Sequence, residues 1–136
     1  SKSNSKLLFF KIFLRLEFYS DISNVHNEYE LNQIIAKLVD IYGPLPEYLE
    51  NLLDLTRIRI AANVINAEKV KINQESTIIT LNKKSLINHD NLINKYVNKG
   101  NIILLNEFNF KYKYPSEKCF SDICNEVITI FESISN

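Results

Sequence analysis

The hydrophobic positions in the first half of the chain recur at the spacing of three helices. Residues 7–22 are too densely apolar for one amphipathic stripe, which indicates a helix covered on more than one side. Two stripes at helical spacing follow, one over residues 31–42 and one over residues 46–66. Gly43 and Pro46 are typical end and start signals for these two helices. The stripe positions are Leu31, Ile34, Ile35, Leu38 and Tyr42 in the second helix and Leu49, Leu52, Leu53, Thr56, Ile60 and Val64 in the third.

After Ala67 the spacing of the hydrophobic residues changes to the alternation that is typical of β-strands. Two alternating runs, residues 69–73 and 77–81, predict a β-hairpin with a polar turn between them. A short helix over residues 88–99 follows, with Asn88 as its N-cap. Its predicted apolar face is Leu92, Ile93, Tyr96 and Val97.

The last third of the chain predicts two more strands and a final helix. Residues 102–105 and 108–114 are the strands, joined by a turn around Asn106, and Pro115 and Ser116 open the helix. The apolar side of that helix is Phe120, Ile123, Cys124, Val127, Phe131 and Ile134. The predicted fold is α+β: three N-terminal helices, a β-hairpin, a helix, a second β-hairpin and a C-terminal helix packed on a small sheet.

The size and composition of the chain are those of one ordinary soluble domain. Its 136 residues are 46% apolar and 24% charged, and 16 basic residues balance 16 acidic ones. We therefore expect a single domain over residues 1–136, with a disordered polar end at residues 1–6. A neutral chain lacks the basic footprint of a protein that binds nucleic acid or anionic membranes. Since no methionine is present, even at position 1, we expect the chain to be a piece of a longer protein.

The two cysteines indicate a reducing, cytoplasmic setting. Cys119 and Cys124 are five residues apart in a predicted helix. That spacing places them about 140° apart around the helix axis, where they cannot form a disulfide. Free thiols are typical of cytoplasmic proteins. Residues 7–19 fall short of the roughly 20 apolar residues of a bilayer span, so we expect no membrane partner.

The common catalytic and cofactor motifs are missing from the sequence. The two glycines, Gly43 and Gly100, are 57 positions apart, which excludes the glycine-rich loops that hold phosphates or dinucleotides. His26 and His89 are the only histidines, and without cysteine pairs they do not predict a zinc site. We expect a domain that is not an enzyme, with no catalytic residue, no cofactor and no metal.

The alternating pattern of one predicted strand has two explanations, one functional and one structural. In it, Phe108, Phe110, Tyr112 and Tyr114 alternate with Asn109, Lys111 and Lys113. Aromatics on a sheet flanked by lysines can stack nucleic-acid bases. A half-buried strand shows the same alternation, because its aromatics enter the core and its lysines face water. The neutral charge favours the core interpretation, and a nucleic-acid-binding accessory domain is the alternative function.

Two segments of the first half resemble a known family. Residues 15–23 (RLEFYSDIS) and 30–62 (ELNQIIAKLVDIYGPLPEYLENLLDLTRIRIAA), with the hairpin after them, are similar to the C-terminal domain of the bacterial transcription-repair coupling factors, the Mfd family. Arg15, Leu16 and Tyr19 match its first motif. The second motif is matched without gaps, with Tyr42 in the place of a phenylalanine, by Leu38, Asp40, Gly43, Leu45, Pro46, Leu52 and Leu53.

The resemblance implies a non-catalytic regulatory domain of an ATP-dependent DNA translocase. In this family the parent protein removes stalled RNA polymerase from damaged DNA and recruits UvrA for nucleotide excision repair. It binds DNA, ATP and magnesium outside the C-terminal domain. The C-terminal domain docks on the N-terminal UvrB-like module of the same chain and masks the UvrA-binding surface, which autoinhibits the protein.

The same resemblance assigns docking residues to the second helix. They are Lys37, Asp40, Ile41 and Tyr42. Asp40 keeps the acid of the family pattern, whereas Lys37 stands in place of a glutamate and Ile41 in place of an arginine. A dock that depends on ion pairs would be weakened or rewired by these two changes. The structural residues of the motif are Arg15, Tyr19, Gly43 and Pro46.

Overall fold

The computed structural model describes residues 16–136, and these residues form a mixed α+β structure. The elements are α1 (residues 16–23), α2 (Glu28–Tyr42), α3 (Glu47–Val64), β1 (Lys69–Ile72), β2 (Ser76–Thr80), α4 (His89–Asn91, continued by a π-helix over Leu92–Val97), β3 (Ile102–Leu104), β4 (Asn109–Lys113) and α5 (Phe120–Ile134). The predicted fold class and order of elements are confirmed. Arg15 and the predicted disordered end at residues 1–6 lie outside the described residues.

The chain divides into two compact units within α3. Unit 1 ends at Thr56, and unit 2 spans Arg57–Asn136. A single domain over residues 1–136 therefore stays a prediction, and each unit is described by itself.

In unit 1, α2 is delimited by side-chain and backbone capping. The Asn27 side chain accepts a hydrogen bond from the Glu30 N–H at 2.9 Å, and the Glu30 carboxylate accepts one from the His26 N–H at 2.9 Å. This reciprocal arrangement satisfies two amides at the start of the helix. At the other end Gly43 has a φ of +70° and donates its N–H to the Val39 carbonyl at 2.8 Å. The predicted end of the second helix at Gly43 is confirmed.

The buried positions of α3 lie on more than one side of the helix. Asp54 is only 7% exposed although it lies outside the single predicted stripe. Val64 is 67% exposed, which also contradicts the single predicted stripe. The following Ile65 is fully buried instead, because α3 ends at Val64 and the backbone turns with a φ of +57° at Asn66.

Unit 2 is built on a four-stranded antiparallel sheet with the strand order β1-β2-β4-β3. Both predicted hairpins, β1–β2 and β3–β4, are confirmed. The two hairpins join through β2 and β4, where Ile79 pairs with Phe110. The core of unit 2 combines residues of α3, the sheet, α4, α5 and the segments that connect them: Ile58, Ala62, Ile65, Ile79, Leu81, Ile87, Leu92, Ile102, Phe110, Tyr112, Ile123, Cys124, Val127, Ile130, Phe131 and Ile134.

Two predicted helices of unit 2 need correction. The last helix begins at Phe120 rather than at Pro115, and Cys119 is its N-cap rather than a residue within it. The short helix begins at its predicted N-cap, Asn88, but most of it is π-helical, and Ile93 of its predicted apolar face is exposed. The wider turn of a π-helix changes which side chains face the core.

Candidate docking site on helix α2

Three of the predicted docking residues lie together on the exposed side of α2. Lys37, Asp40 and Ile41 are separated by three and four positions, which places them on neighbouring turns of one face. All three are exposed, and Ile41 keeps 51% of its surface in solvent. The fourth predicted residue, Tyr42, points elsewhere: it is half-buried, and its ring contacts Phe18 edge-on with a centroid distance of 6.4 Å.

The exposed face is larger than the sequence predicted. Tyr29, Gln33, Lys37 and Ile41 recur every four residues along it, and Tyr29 is 72% exposed. The Gln33 side-chain amide donates to the Tyr29 hydroxyl at 2.9 Å and so steadies the ring. The four-residue spacing is visible in the sequence, but Tyr29 and Gln33 are not among the positions that match the family motif. We define the α2 face as Tyr29, Gln33, Ala36, Lys37, Asp40 and Ile41.

The α2 face offers one carboxylate, one ammonium group and two large apolar groups. Among the described residues, neither Asp40 nor Lys37 has an ion-pair partner. Their charges are therefore available to another protein surface. A patch that combines exposed apolar side chains with unpaired charges is suited to protein docking.

The structural residues of the motif set where α2 ends and α3 begins. Gly43 closes α2, and the Pro46 carbonyl accepts the N–H groups of Leu49 and Glu50 at 3.0 and 3.1 Å in the first turn of α3. This pair fixes the length of α2 and hence the last turn of the α2 face. Tyr19 lies half-buried in α1.

The aromatic strand does not form a base-stacking surface. Phe110 is 2% exposed and Tyr112 is 5% exposed, and Phe108 and Tyr114 pack partly buried against the same core. Lys113 is exposed to solvent. The interpretation that the aromatics of this strand enter the core is confirmed. The prediction of an aromatic base-stacking platform, on which the alternative function depends, is wrong.

The described residues offer little for metal chemistry. In residues 16–136, no group of three histidines, cysteines or acids is placed to hold a metal ion. His26 and His89 are exposed, and neither Cys119 nor Cys124 forms a disulfide within the part of the chain that the structure describes. None of the described helices has the length and hydropathy to cross a membrane.

Comparisons with known proteins agree on one family. A family model described as the TRCF domain matches residues 11–92. The transcription-repair-coupling factor of Haemophilus influenzae is 28% identical over 104 residues, which cover 76% of this chain and 9% of that protein. The corresponding protein of Escherichia coli is 34% identical over 74 residues, or 54% of this chain and 6% of that protein. That of Buchnera aphidicola from Acyrthosiphon pisum is 32% identical over 82 residues, or 60% of this chain and 10% of that protein.

A solved structure shares the fold. The crystal structure of the C-terminal domain of a transcription-repair coupling factor aligns with a TM-score of 0.69 and 17% identity, covering 87% of this chain and 76% of that chain. At this identity the likeness shows the fold alone. The chain spans a tenth or less of the length of the curated relatives described above.

Proposed function

The chain belongs to the TRCF domain family, and from that premise we propose that it docks, as the C-terminal domain of a transcription-repair coupling factor, on the N-terminal UvrB-like module of its parent protein. The matched domain is small and is not itself catalytic, in agreement with the prediction that this chain is not an enzyme. In the proposal, docking masks the surface that recruits UvrA and so restrains nucleotide excision repair. DNA, ATP, magnesium and RNA polymerase engage other parts of the parent, in the cytoplasm.

The observation that carries the proposal is the unpaired Asp40 carboxylate on the exposed α2 face. It lies beside Ile41, so a partner that contacts both would bury apolar area and form a charged contact at once. Contacts of this kind combine hydrophobic burial with selection by charge. Asp40 is also the one charged residue of the family pattern that this chain retains at these positions.

The two departures from the family pattern change what the partner surface must supply. Opposite Lys37 the partner surface would need an acid, whereas the glutamate of the family pattern would be met by a base. Opposite Ile41 it would need an apolar side chain, whereas the arginine of the family pattern would form an ion pair. A matching module would therefore be less basic and more apolar opposite α2. The sequence of the parent's N-terminal module can be checked for these changes in charge and polarity.

Docking would act by shifting a population between two states. A closed state, in which the α2 face is covered, hides the UvrA-binding surface, and an open state exposes it. A partner that binds the open state better, such as polymerase on DNA, shifts the balance towards it. No catalytic step by this domain is needed.

Association with the isolated UvrB-like module tests the proposal. We expect binding by calorimetry at about 50 mM salt and weaker binding at about 500 mM, because exposed charge pairs are screened. Asp40→Ala should weaken the affinity about tenfold or more, since it removes one partner of a charged contact. Asp90→Ala, an exposed acid in α4, is the matched control and should leave the affinity unchanged.

Two results would contradict this proposal at different levels. No association, even with the two parts joined by a flexible linker, would overturn docking itself. Normal association with Asp40→Ala would remove Asp40 from the interface while leaving docking intact.

A further inference from the structure

Unit 2 contains a groove that the proposed docking does not use. It has a volume of about 750 Å³ and lies between the turn of the β1–β2 hairpin and the segment that leads from β4 into α5. Its apolar lining is Ile72, Tyr114, Phe120 and Ile123, all of which also pack on the core of unit 2. The size falls within the range of sites that bind small ligands.

Hydrogen bonds hold the two walls of the groove together. The Tyr114 hydroxyl donates to the Asn73 carbonyl at 2.8 Å and accepts from the Thr77 hydroxyl at 2.7 Å. The Tyr114 N–H also donates to the Glu75 carbonyl at 3.3 Å. The hairpin turn and the end of β4 are thereby tied to each other. These hydrogen bonds pre-organise the walls of the groove, which lowers the entropic cost of binding.

The polar rim of the groove has a net negative charge. Glu75 and Glu117 are exposed there and have no ion-pair partner among the described residues. Lys118, the base in the lining of the groove, is paired at 2.8 Å with the Glu126 carboxylate, so its charge is already balanced. Two uncompensated carboxylates therefore flank an apolar floor.

We propose that this groove binds a peptide segment of a partner protein that places one apolar side chain on the floor between two basic residues. The apolar floor accounts for the central side chain, and Glu75 and Glu117 account for the flanking charges. The same carboxylates repel phosphate groups, which disfavours nucleotides and nucleic acid. This surface belongs to unit 2 and the α2 face belongs to unit 1, so the inference does not depend on the proposed docking.

Titration of the isotope-labelled chain with short peptides tests the proposal by NMR. The probe is N-acetylated, C-amidated Arg-Leu-Arg, and the controls are Glu-Leu-Glu and Arg-Ser-Arg. We expect Arg-Leu-Arg to bind with a dissociation constant of about 1 mM or below and to shift the amides of residues 72–75 and 114–123. Both control peptides should bind at least about fivefold more weakly, because Glu-Leu-Glu lacks the basic side chains and Arg-Ser-Arg lacks the apolar one.

Charge reversal on the rim separates specific binding from general attraction. The double variant Glu75→Lys/Glu117→Lys should weaken Arg-Leu-Arg binding at least about fivefold. The double variant Glu107→Lys/Glu132→Lys changes two exposed acids away from the groove and should bind as the wild type does. Because all four positions are exposed, the variants should fold, and their amide spectra will confirm it.

Three outcomes would overturn the proposal. They are equal binding of Glu-Leu-Glu, amide shifts that map outside the groove, and no binding of Arg-Leu-Arg at about 10 mM, where even a weak ligand of this size registers.

Discussion

Tyr112 combines a buried ring with an acidic neighbour. Burial, and then the nearby Glu126 carboxylate, raise the pKa of Tyr112 from 10.0 to about 12. Both causes act against the phenolate, because a buried or negatively surrounded site disfavours a second negative charge. The Tyr112 phenol therefore stays neutral in the folded chain at a pH at which an unfolded tyrosine has ionised.

The raised pKa of Tyr112 predicts a loss of stability at alkaline pH. Below pH 10 the Tyr112 phenol is protonated in both the folded and the unfolded state, so its ionisation does not affect stability. Between pH 10 and about 12 the unfolded state releases this proton more readily than the folded state does, so the free energy of unfolding falls as the pH rises. Urea unfolding followed by circular dichroism across this range measures the slope. Burial also raises the pKa of Tyr114, so Tyr112→Phe should remove part of the slope rather than all of it.

A second variant checks the assigned causes. Glu126→Gln removes the negative neighbour but leaves the ring buried, so it should lower the pKa of Tyr112 only part of the way towards 10.0. Because the chain has seven tyrosines, the difference in phenolate absorbance between each protein and its Tyr112→Phe derivative isolates the ionisation of Tyr112. If Tyr112→Phe keeps the full wild-type slope, the alkaline transition belongs to other groups.

At the scale of the element, α2 shows how a helix that carries a candidate site is delimited. Asn27 caps its first turn, and Gly43 ends the helix in a backbone conformation that glycine adopts without strain. No heavy atom lies within 4 Å of the position of a Cβ at Gly43, so the requirement for glycine there is conformational and not steric. The docking residues thus lie in the last turns before a fixed end.

Removal of the N-cap should weaken α2 measurably. Asn27→Ala leaves the Glu30 N–H without its partner, so we expect the free energy of unfolding to fall by about 1 kcal/mol. Asn27→Asp keeps the acceptor and should restore the wild-type value. Urea unfolding followed by circular dichroism measures all three proteins.

A control in the same helix separates capping from composition. Asn32→Ala replaces an exposed asparagine within α2, and since alanine favours helix it should be neutral or slightly stabilising. Equal stability of Asn27→Ala and the wild type would show that the capping bond contributes nothing to stability.

Local signals in the sequence located the elements well where they depend on near neighbours. Gly43 and Asn88 act through hydrogen bonds within four residues, and both were identified from the sequence. The sequence pattern places the start of α5 too early, because Pro115 is also compatible with an extended lead-in, which here runs on to the N-cap Cys119. A π-helix has no distinct hydrophobic period, so the segment Leu92–Val97 read as an ordinary helix.

Burial on several sides of α3 was the other failure of the sequence pattern. Ile58 and Ala62 belong to the core of unit 2, yet they lie far around the helix from the stripe that begins at Leu49. At about 100° per residue, a helix that meets different neighbours along its length shows two overlapping stripes. A single predicted stripe follows only one of the two, which is why the pattern places Val64 on the buried side although it is 67% exposed.

The candidate site was predictable only in part. Resemblance to the family supplied Lys37, Asp40 and Ile41, which the structure places on one exposed face. The ring contact of Tyr42 with Phe18 depends on tertiary packing that no local pattern reveals. The groove in unit 2 brings together residues from about 72 to 123, a separation over which the sequence gives no signal of contact.

At the scale of the whole molecule, two candidate protein-binding surfaces occur in a chain with no net charge. The α2 face carries one charge of each sign, and the groove in unit 2 is acidic. Neither surface is basic, and the 16 basic residues of the chain are balanced by 16 acidic ones. This distribution favours protein partners over nucleic acid.

The chain should therefore bind single-stranded DNA and RNA weakly or not at all. Affinity for nucleic acid comes largely from counterion release by clustered lysines and arginines and from stacking of bases on exposed aromatic side chains. This chain has no net positive charge, and the aromatics of its strand face the core. We expect flat fluorescence-anisotropy titrations up to about 10 µM protein at about 50 mM salt. Lys111→Gln/Lys113→Gln, which removes the two lysines of β4, should give the same flat curve as the wild type. Binding that falls steeply with added salt, and that this double variant abolishes, would instead restore the strand as a nucleic-acid surface.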